Sequence, residues 1–243
     1  IVINAAMAHQ LNEFKAQIDA LVTEGMEQEE ALYKVLKETI IASRNIRFEG
    51  DGYSDEWKEE AHQRGLTNIS HVPEAIMRFN DPQSRNVLIG ENIFNENELS
   101  CRIEVELEKF TKKVQIESRI LGDLAINHIV PTAVIYQNRL LENLRGLRET
   151  FSPEEYELLG SDRRELVKEI QLHILEIKRL VREMTEARHI ANRKSSQVEK
   201  AYSYQETVSP YMEMIREHID HLELEIDDEI WPLPKYRELL FTK

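Results

Sequence analysis

The hydrophobic pattern from Arg102 to Leu147 predicts one long helix with a proline inside it. Pro131 removes a backbone hydrogen bond and crowds the carbonyl of Asn127, so we expect a kink rather than an end. At about 1.5 Å per residue the helix is roughly 70 Å long, too long to be buried in one small domain, so we expect it to pack along another part of the protein or a partner. The apolar residues before the proline recur at steps of three, four and seven, the spacing of one helix face: Ile103, Leu107, Phe110, Val114, Leu121 and Ala125. We expect this stripe to resume through Val134, Asn138, Leu141 and Leu144.

Two more apolar stripes with heptad spacing follow towards the carboxyl end. The first is Val167, Ile170, Ile174, Ile177, Val181 and Met184, and the second is Met212, Ile215, Ile219, Leu222 and Ile226. Because the polar stretch His189 to Gln205 separates them, they predict two long helices packed antiparallel in a hairpin or small bundle. Ser209-Pro210 either kinks the second helix or begins it.

Signals for helix ends divide the remaining chain. Ser152 to Glu155 form a capping box, which predicts a short helix ended by Gly160, and Asp162 then caps a long one. Short helices joined by structured turns are expected in the first hundred residues. They are Val2 to Val22 closed by Gly25, Glu27 to Ser43, a helix capped by Ser54, anchored by Trp57 and stopped by Gly65, and Glu74 to Phe79 before a loop at 80–86. Along the first of them an apolar stripe is expected at Ala5, Ala8, Leu11, Phe14, Ile18 and Leu21.

These patterns predict an all-α protein in which short helices precede a long kinked helix and an antiparallel hairpin or bundle of long helices. We place a domain boundary near residue 100, giving 1–100 and 101–243. Composition agrees, because the 243 residues include only eight glycines and seven prolines, while 31% are charged and 41% are apolar.

The charge balance argues against two classes of partner. The net charge is −14, and the basic residues are scattered among acidic ones, so neither nucleic acid nor an anionic membrane is expected to bind. The single cysteine, Cys101, fits a reducing compartment, and we expect it to be half-buried at a helix start. Without a long apolar run or a leader pattern we expect a soluble, cytoplasmic protein. Because Ile1 is not a start methionine, the chain has the pattern of a piece of a longer protein.

Candidate chemistry is sparse. Neither a phosphate-binding glycine loop nor a catalytic triad is present, and Asp51 and Asp55 fit a turn better than a cation site. Glu59-x-x-His62 and Glu186-x-x-His189 have the spacing of di-iron ligands, but the first lies on a short helix and Arg188 and Arg193 surround the second. A transition-metal site is the alternative to a solvated acidic face at Glu217, His218, Asp220, His221 and Glu223, and the acidic face is favoured. His128 is expected to be a hydrogen-bonded packing residue. We therefore assign no catalytic, cofactor-binding or metal-binding residue.

Several longer strings resemble the C-terminal part of a type III glutamine synthetase, the large bacterial form of the enzyme. They are IRFEGDGYSDEWKEEAHQRGLTNI, IESRILGDLAINHIVPTAVIYQNRLLENL and ELEIDDEIWPLPKYRELLF. Three more strings resemble segments of the family and occur in the same order. IVINAAMAHQL resembles the helix after the glutamate-binding arginine segment, and ISHVPEAIMRFN resembles a helix near the end of the catalytic domain. NIFNENELSCRIEVELEKF resembles the closing helix of shorter glutamine synthetases.

The resemblance implies a ligase of nitrogen metabolism and glutamine biosynthesis, a homo-oligomeric double ring that joins ammonia to glutamate using ATP and Mg²⁺ or Mn²⁺. It also implies that the family's ATP, metal and ammonia sites lie upstream of Ile1. We therefore expect this chain to bind no cofactor and to be inactive alone, with residues 1–100 finishing the catalytic domain and 101–243 forming the type III extension. The competing hypotheses are an independent helical scaffold or adaptor and a di-iron bundle.

Overall fold

The computed structural model of the protein describes residues 1–240, with the side chains of all of them except Tyr236 and Arg237. Within these residues the chain is helical and contains no strand, so the all-α prediction is confirmed. Residues 241–243, the end of the predicted extension, lie outside the described residues. Two compact units are present, Ile1–Glu106 and Leu107–Lys243. None of the described helices is both long enough and apolar enough to cross a membrane.

The first unit is built from short helices. They are α1 (Val2–Thr23), α2 (Gln28–Ala42), α3 (Asp55–Gln63), α4 (Val72–Met77), α5 (Pro82–Gly90) and the beginning of α6 (Glu96–Leu124), with 3₁₀ turns at Ser43–Ile46 and Arg78–Asn80. Gly25 and Gly65 have φ of +100° and +75° after α1 and α3, as the sequence predicts, because glycine adopts this left-handed conformation without a steric cost.

The start of α3 also follows the prediction. The Ser54 hydroxyl accepts a hydrogen bond from the backbone N–H of Trp57 at 3.2 Å. Trp57 anchors the helix by stacking on Phe48, with ring centroids 4.0 Å apart. The preceding Asp51 accepts a hydrogen bond from the backbone N–H of Tyr53 at 2.9 Å, which makes this segment a turn.

The loop predicted at 80–86 is wrong, because α5 begins there. Asp81 has an extended backbone before Pro82 at the first helical position, where a missing N–H costs nothing. Asn92 ends this region with φ of +57°, in the role that glycine takes after α1 and α3.

The second unit contains the end of α6 and the long helices. A π-helical turn, Ala125–Ile129, joins α6 to α7 (Val130–Thr150), and α8 (Pro153–Asn192) follows. The chain then forms α9 (Gln197–Ser203), a second π-helical turn at Tyr204–Val208, α10 (Ser209–Glu225) and α11 (Tyr236–Leu239).

Helix α8 packs against both α7 and α10 and is antiparallel to each of them. Near the start of α8, Gly160 meets Leu144 at the end of α7. Towards its other end, the Asn192 carboxamide accepts a hydrogen bond from the Tyr204 hydroxyl, just before α10, at 2.9 Å. The seams predicted on α8 and α10 form the core between these helices, so the antiparallel long-helix arrangement is confirmed. The fully or nearly fully buried members are Ile170, Ile174, Ile177, Met184, Ile215, Ile219, Leu222 and Ile226.

The predicted kinked helix is confirmed, with a π-helical turn directly before the proline. The Val130 N–H donates to the Ala125 carbonyl, five residues back, and the Thr132 hydroxyl donates to the His128 carbonyl at 2.9 Å. A π-helical turn takes up one extra residue, so the face that follows cannot be obtained by continuing the regular spacing. The stripe predicted after Pro131 is therefore wrong at Val134, Asn138 and Leu141, which are exposed, whereas Ala133, Leu140 and Leu144 are buried.

The same arrangement recurs before Pro210. The Ser209 N–H donates to the Tyr204 carbonyl, again five residues back, and the Ser209 hydroxyl donates to the same carbonyl at 3.2 Å. Pro210 occupies the first turn of α10, where its ring is tolerated. Each proline of the second unit that lies within a long helical segment is thus preceded by a wide turn that accommodates it.

Two predictions about small residues are wrong. Gly160 does not end a short helix, because α8 runs without a break for 40 residues, from Pro153 to Asn192, after the confirmed Ser152–Glu155 capping box. The predicted helix start at Asp162 is wrong for the same reason, since Asp162 lies inside α8. Gly160 is buried, and a Cβ there would meet Leu144 Cδ2 at 3.3 Å, so its role is close packing of α7 on α8. Cys101 lies inside α6 and is exposed rather than half-buried at a helix start.

Because Gly160 lies against Leu144, a larger side chain should be tolerated less well at Gly160 than at Gly146. Gly160→Leu should lower the free energy of unfolding by about 1–3 kcal/mol, because the added atoms force α7 away from α8. The matched variant Gly146→Leu lies on the exposed side of α7 with no atom near its Cβ, and should be neutral or stabilising by up to about 1 kcal/mol. Urea unfolding followed by circular dichroism measures both. Equal effects at the two positions would contradict the packing role of Gly160.

Candidate functional site

Helix α1 carries an apolar stripe that is covered along only half of its length. In the carboxyl-terminal half of this α1 stripe, Phe14, Ile18 and Leu21 are half-buried. In its amino-terminal half, Ile3, Met7 and Leu11 are 77%, 61% and 62% exposed. All six residues follow one helix face, so burial changes along α1 although the apolar pattern does not. Of the predicted stripe, Ala5 is buried and Phe14, Ile18 and Leu21 are half-buried, whereas the prediction is wrong at Ala8 and Leu11, which are exposed.

Helix α2 has a second exposed apolar stripe, Leu32, Leu36 and Ile40. Ala31 and Val35, one position earlier in each turn, are buried within the first unit. An apolar groove of about 450 Å³ also opens in this unit. It is lined by Ile1, Val2, Ile76, Phe79, Phe94, Leu99, Arg102, Ile103 and Glu106. Exposed apolar stripes and grooves of this kind are typical of a protein surface that contacts another polypeptide.

The second unit contains a histidine cluster, defined as His173 on α8 with His218 and His221 on α10. The Nδ1 atoms of His173 and His218 are 2.9 Å apart, within hydrogen-bonding distance. The His173 ring is also stacked on His221, with centroids 5.1 Å apart and 21° between the ring planes. The Nδ1 of His221 lies 2.7 Å from the Glu217 carbonyl, to which it donates a hydrogen bond, so its Nε2 carries the lone pair when the ring is neutral.

The histidine cluster lies in a cleft of about 300 Å³ between α8 and α10 that also contains carboxylates. The cleft is lined by Glu169, Ile170, Leu172, His173, Glu176, His218, His221, Leu222 and Glu225. Burial lowers the pKa of His173, and the nearby His218 and His221 lower it further, while Glu169 and Glu225 act in the opposite direction. A hydrogen bond from Arg179 lowers the pKa of Glu176, so this carboxylate is ionised at neutral pH.

The other sequence-predicted metal ligands remain apart from this cluster. Glu59 and His62 are exposed on the short α3, and Glu186 and His189 are exposed on α8. His128 is exposed too, so its predicted packing role is wrong. Through residue 240, no group of three or more His, Cys, Asp or Glu side chains is arranged to hold a metal ion.

Sequence reasoning singled out two of the three histidines of the cluster and missed His173. It singled out His218 and His221 with their acidic neighbours, and the exposed His221 fits the favoured solvated face. His173 lies 45 residues before His218 and belongs to no motif. The available signal was positional, since His173 directly precedes the seam residue Ile174 and His218 directly precedes Ile219.

Comparison with known proteins gives consistent matches along the chain. The family model described as the glutamine synthetase C-terminal domain matches residues 31–148. Glutamine synthetase of Bacteroides fragilis (strain YCH46) is 70% identical over 243 residues, which cover all of this chain and 33% of that protein. Type-3 glutamine synthetase of Dictyostelium discoideum is 29% identical over all of this chain and 33% of its own length. A glutamine synthetase of Butyrivibrio fibrisolvens is 28% identical over 90% of the chain and 31% of its own length.

These matches confirm the predicted resemblance to the C-terminal part of type III glutamine synthetases. The chain spans about a third of the length of the curated relatives it matches.

The exposed half of the α1 stripe predicts tolerance to polar substitution. Met7→Gln combined with Leu11→Gln should change the free energy of unfolding by no more than about 0.5 kcal/mol, because both side chains already contact water. Binding of a hydrophobic dye should fall. Leu99→Ala, at a site 1% exposed in the same unit, should cost about 2–5 kcal/mol. A loss for the double variant as large as that for Leu99→Ala would show that the stripe is buried in the isolated chain.

Proposed function

We propose that this chain, related along its whole length to glutamine synthetases, is the helical C-terminal part of such an enzyme and serves its architecture. The observation that carries the proposal is the 70% identity with the Bacteroides fragilis enzyme across all 243 residues. Similarity that extends through every helix of both units favours this hypothesis over an independent scaffold or adaptor. The proposed parent joins ammonia to glutamate using ATP in the cytoplasm, as a homo-oligomeric ring.

The Mg²⁺ or Mn²⁺ ions that the resemblance implies do not fit the residues that the structure describes in this chain. A di-metal or nucleotide-metal centre needs several oxygen ligands converging on one point. The described residues, 1–240, supply no such group, and the histidine cluster offers imidazole nitrogens, which suit softer metals. No step of the ligation is therefore assigned to a side chain described here, and the di-iron hypothesis is not supported either.

The first unit, in this proposal, completes the catalytic domain through its exposed apolar surface. The uncovered half of the α1 stripe and the α2 stripe are the positions expected to pack against the remainder of the synthetase. Burying a large aliphatic side chain contributes about 1.5–3 kcal/mol, so six such residues represent a substantial interface. The second unit satisfies its own core and is the proposed helical extension that shapes contacts between subunits.

A chimaera tests this function. We expect that replacing the corresponding third of the Bacteroides fragilis enzyme with this chain preserves ATP-dependent glutamine formation and the oligomeric mass. The chain alone should form no glutamine. An inactive chimaera that folds and assembles would contradict the proposed function, and glutamine formation by the isolated chain would contradict the architectural role.

The same chimaera tests the proposed interface. Met7→Glu combined with Leu11→Glu should reduce activity and assembly at least about tenfold, because two carboxylates would be desolvated in the interface. The isolated chain should tolerate the same change. Lys15→Gln, an exposed position of α1 outside the stripe, is the matched control and should leave the chimaera unchanged. If the double variant assembled normally, the α1 stripe would not be the contact surface.

A further inference from the structure

The histidine cluster can exist in its observed form only while one imidazole of the central pair is neutral. A hydrogen bond between the Nδ1 atoms of His173 and His218 requires an N–H on one ring and a lone pair on the other. When both rings are protonated, the two Nδ1 atoms are both donors and the bond is lost. The ring centroids are 5.1 Å apart, so two imidazolium ions would then repel one another.

The groups that face this pair come from both helices of the cleft. Helix α8 contributes Glu169 and Glu176, with Glu176 engaged by Arg179, and α10 contributes His221 and Glu225. The carboxylates favour a protonated histidine, while burial and the other two histidines oppose it. For His173 the opposing effects win, because its pKa lies below the ordinary value with burial as the largest cause.

We propose that His173 and His218 form a proton-operated latch that fastens α10 to α8 at neutral pH and releases it in mild acid. The latch lies against the core seam, since Ile174 and Ile219 follow the two histidines and are buried. Release therefore loosens the packing of α10 along this part of the seam. This inference goes beyond the proposed function and concerns the second unit alone.

The direction of the pH dependence follows from linkage. His173 has a lower pKa in the folded chain than in the unfolded chain, where it is about 6.5. As the pH falls below about 6.5, the unfolded chain takes up the proton first, so the stability of the second unit decreases. The stabilisation is fully present above that value and is lost as the pH falls through the window between the two pKa values.

Two measurements on the full chain test the latch. In an NMR titration, the His173 ring resonances should move at a pH below the ordinary histidine value of about 6.5. The urea midpoint should also be lower at about pH 5.5 than at about pH 7.5, on either side of that value. Trp231, which is 8% exposed in the core of the second unit, reports on this unit when Trp57, the other tryptophan, is replaced by phenylalanine.

Matched variants separate the latch from the other titrating groups. His173→Gln keeps a hydrogen-bonding side chain but cannot gain a charge, so it should reduce the difference between the two urea midpoints. His189→Gln, at an exposed position of the same helix, should retain the full difference. Identical pH dependence in the parent and His173→Gln would overturn the proposal. So would titration of His173 at or above the ordinary value, a measurement that does not depend on how well any variant folds.

Discussion

The second unit depends on burying the apolar seam of α8 along both of its neighbours. Its seam residues repeat alternately every three and four positions. This is the heptad spacing of about 3.5 residues, whereas an undistorted helix has about 3.6 residues per turn. The mismatch rotates the seam by about 20° for each heptad, so long partner helices lose register unless they adjust. Both partners contain a π-helical turn, Ala125–Ile129 and Tyr204–Val208, and each turn lies against α8. The added residue shifts the phase of the helical face that follows.

This constraint explains which features were predictable from sequence. Helix type, capping at Ser54 and Ser152 and the helix ends at Gly25 and Gly65 depend on interactions within a few residues, and these predictions were confirmed. The face of α7 could not be predicted, because it depends on a wide turn that propensity does not encode. The prediction at Gly160 was wrong for a related reason. A glycine that ends a helix and a glycine that lets a neighbouring helix pack closely have the same sequence signal, and only the position of Leu144 beside Gly160 shows its role.

The two units differ in how they satisfy their apolar residues. In the second, most of the buried apolar residues between Val114 and Trp231 belong to one contiguous core cluster. In the first, burial is limited to single positions such as Ala5, Ala31 and Val35, while the neighbouring stripes face water. Since burial of apolar area is the main favourable term in folding, the first unit is expected to be the less stable part of the isolated chain. In the proposed function the exposed apolar residues of the first unit would be covered by the rest of the synthetase, whereas the second unit buries its own seams.

The histidine cluster depends on the same seam. The residues of α8 and α10 meet antiparallel, so His173 reaches His218 only in the register that pairs Ile174 with the buried face around Ile219. A shift of α10 by one helical turn, about 5.4 Å, would preserve apolar contacts of similar kind but would separate the two imidazoles. The hydrogen bond between His173 and His218 therefore forms only in the observed register of the two helices. Because the same bond requires a neutral imidazole, the proposed latch depends on the protonation state of the pair as well as on the packing of the seam.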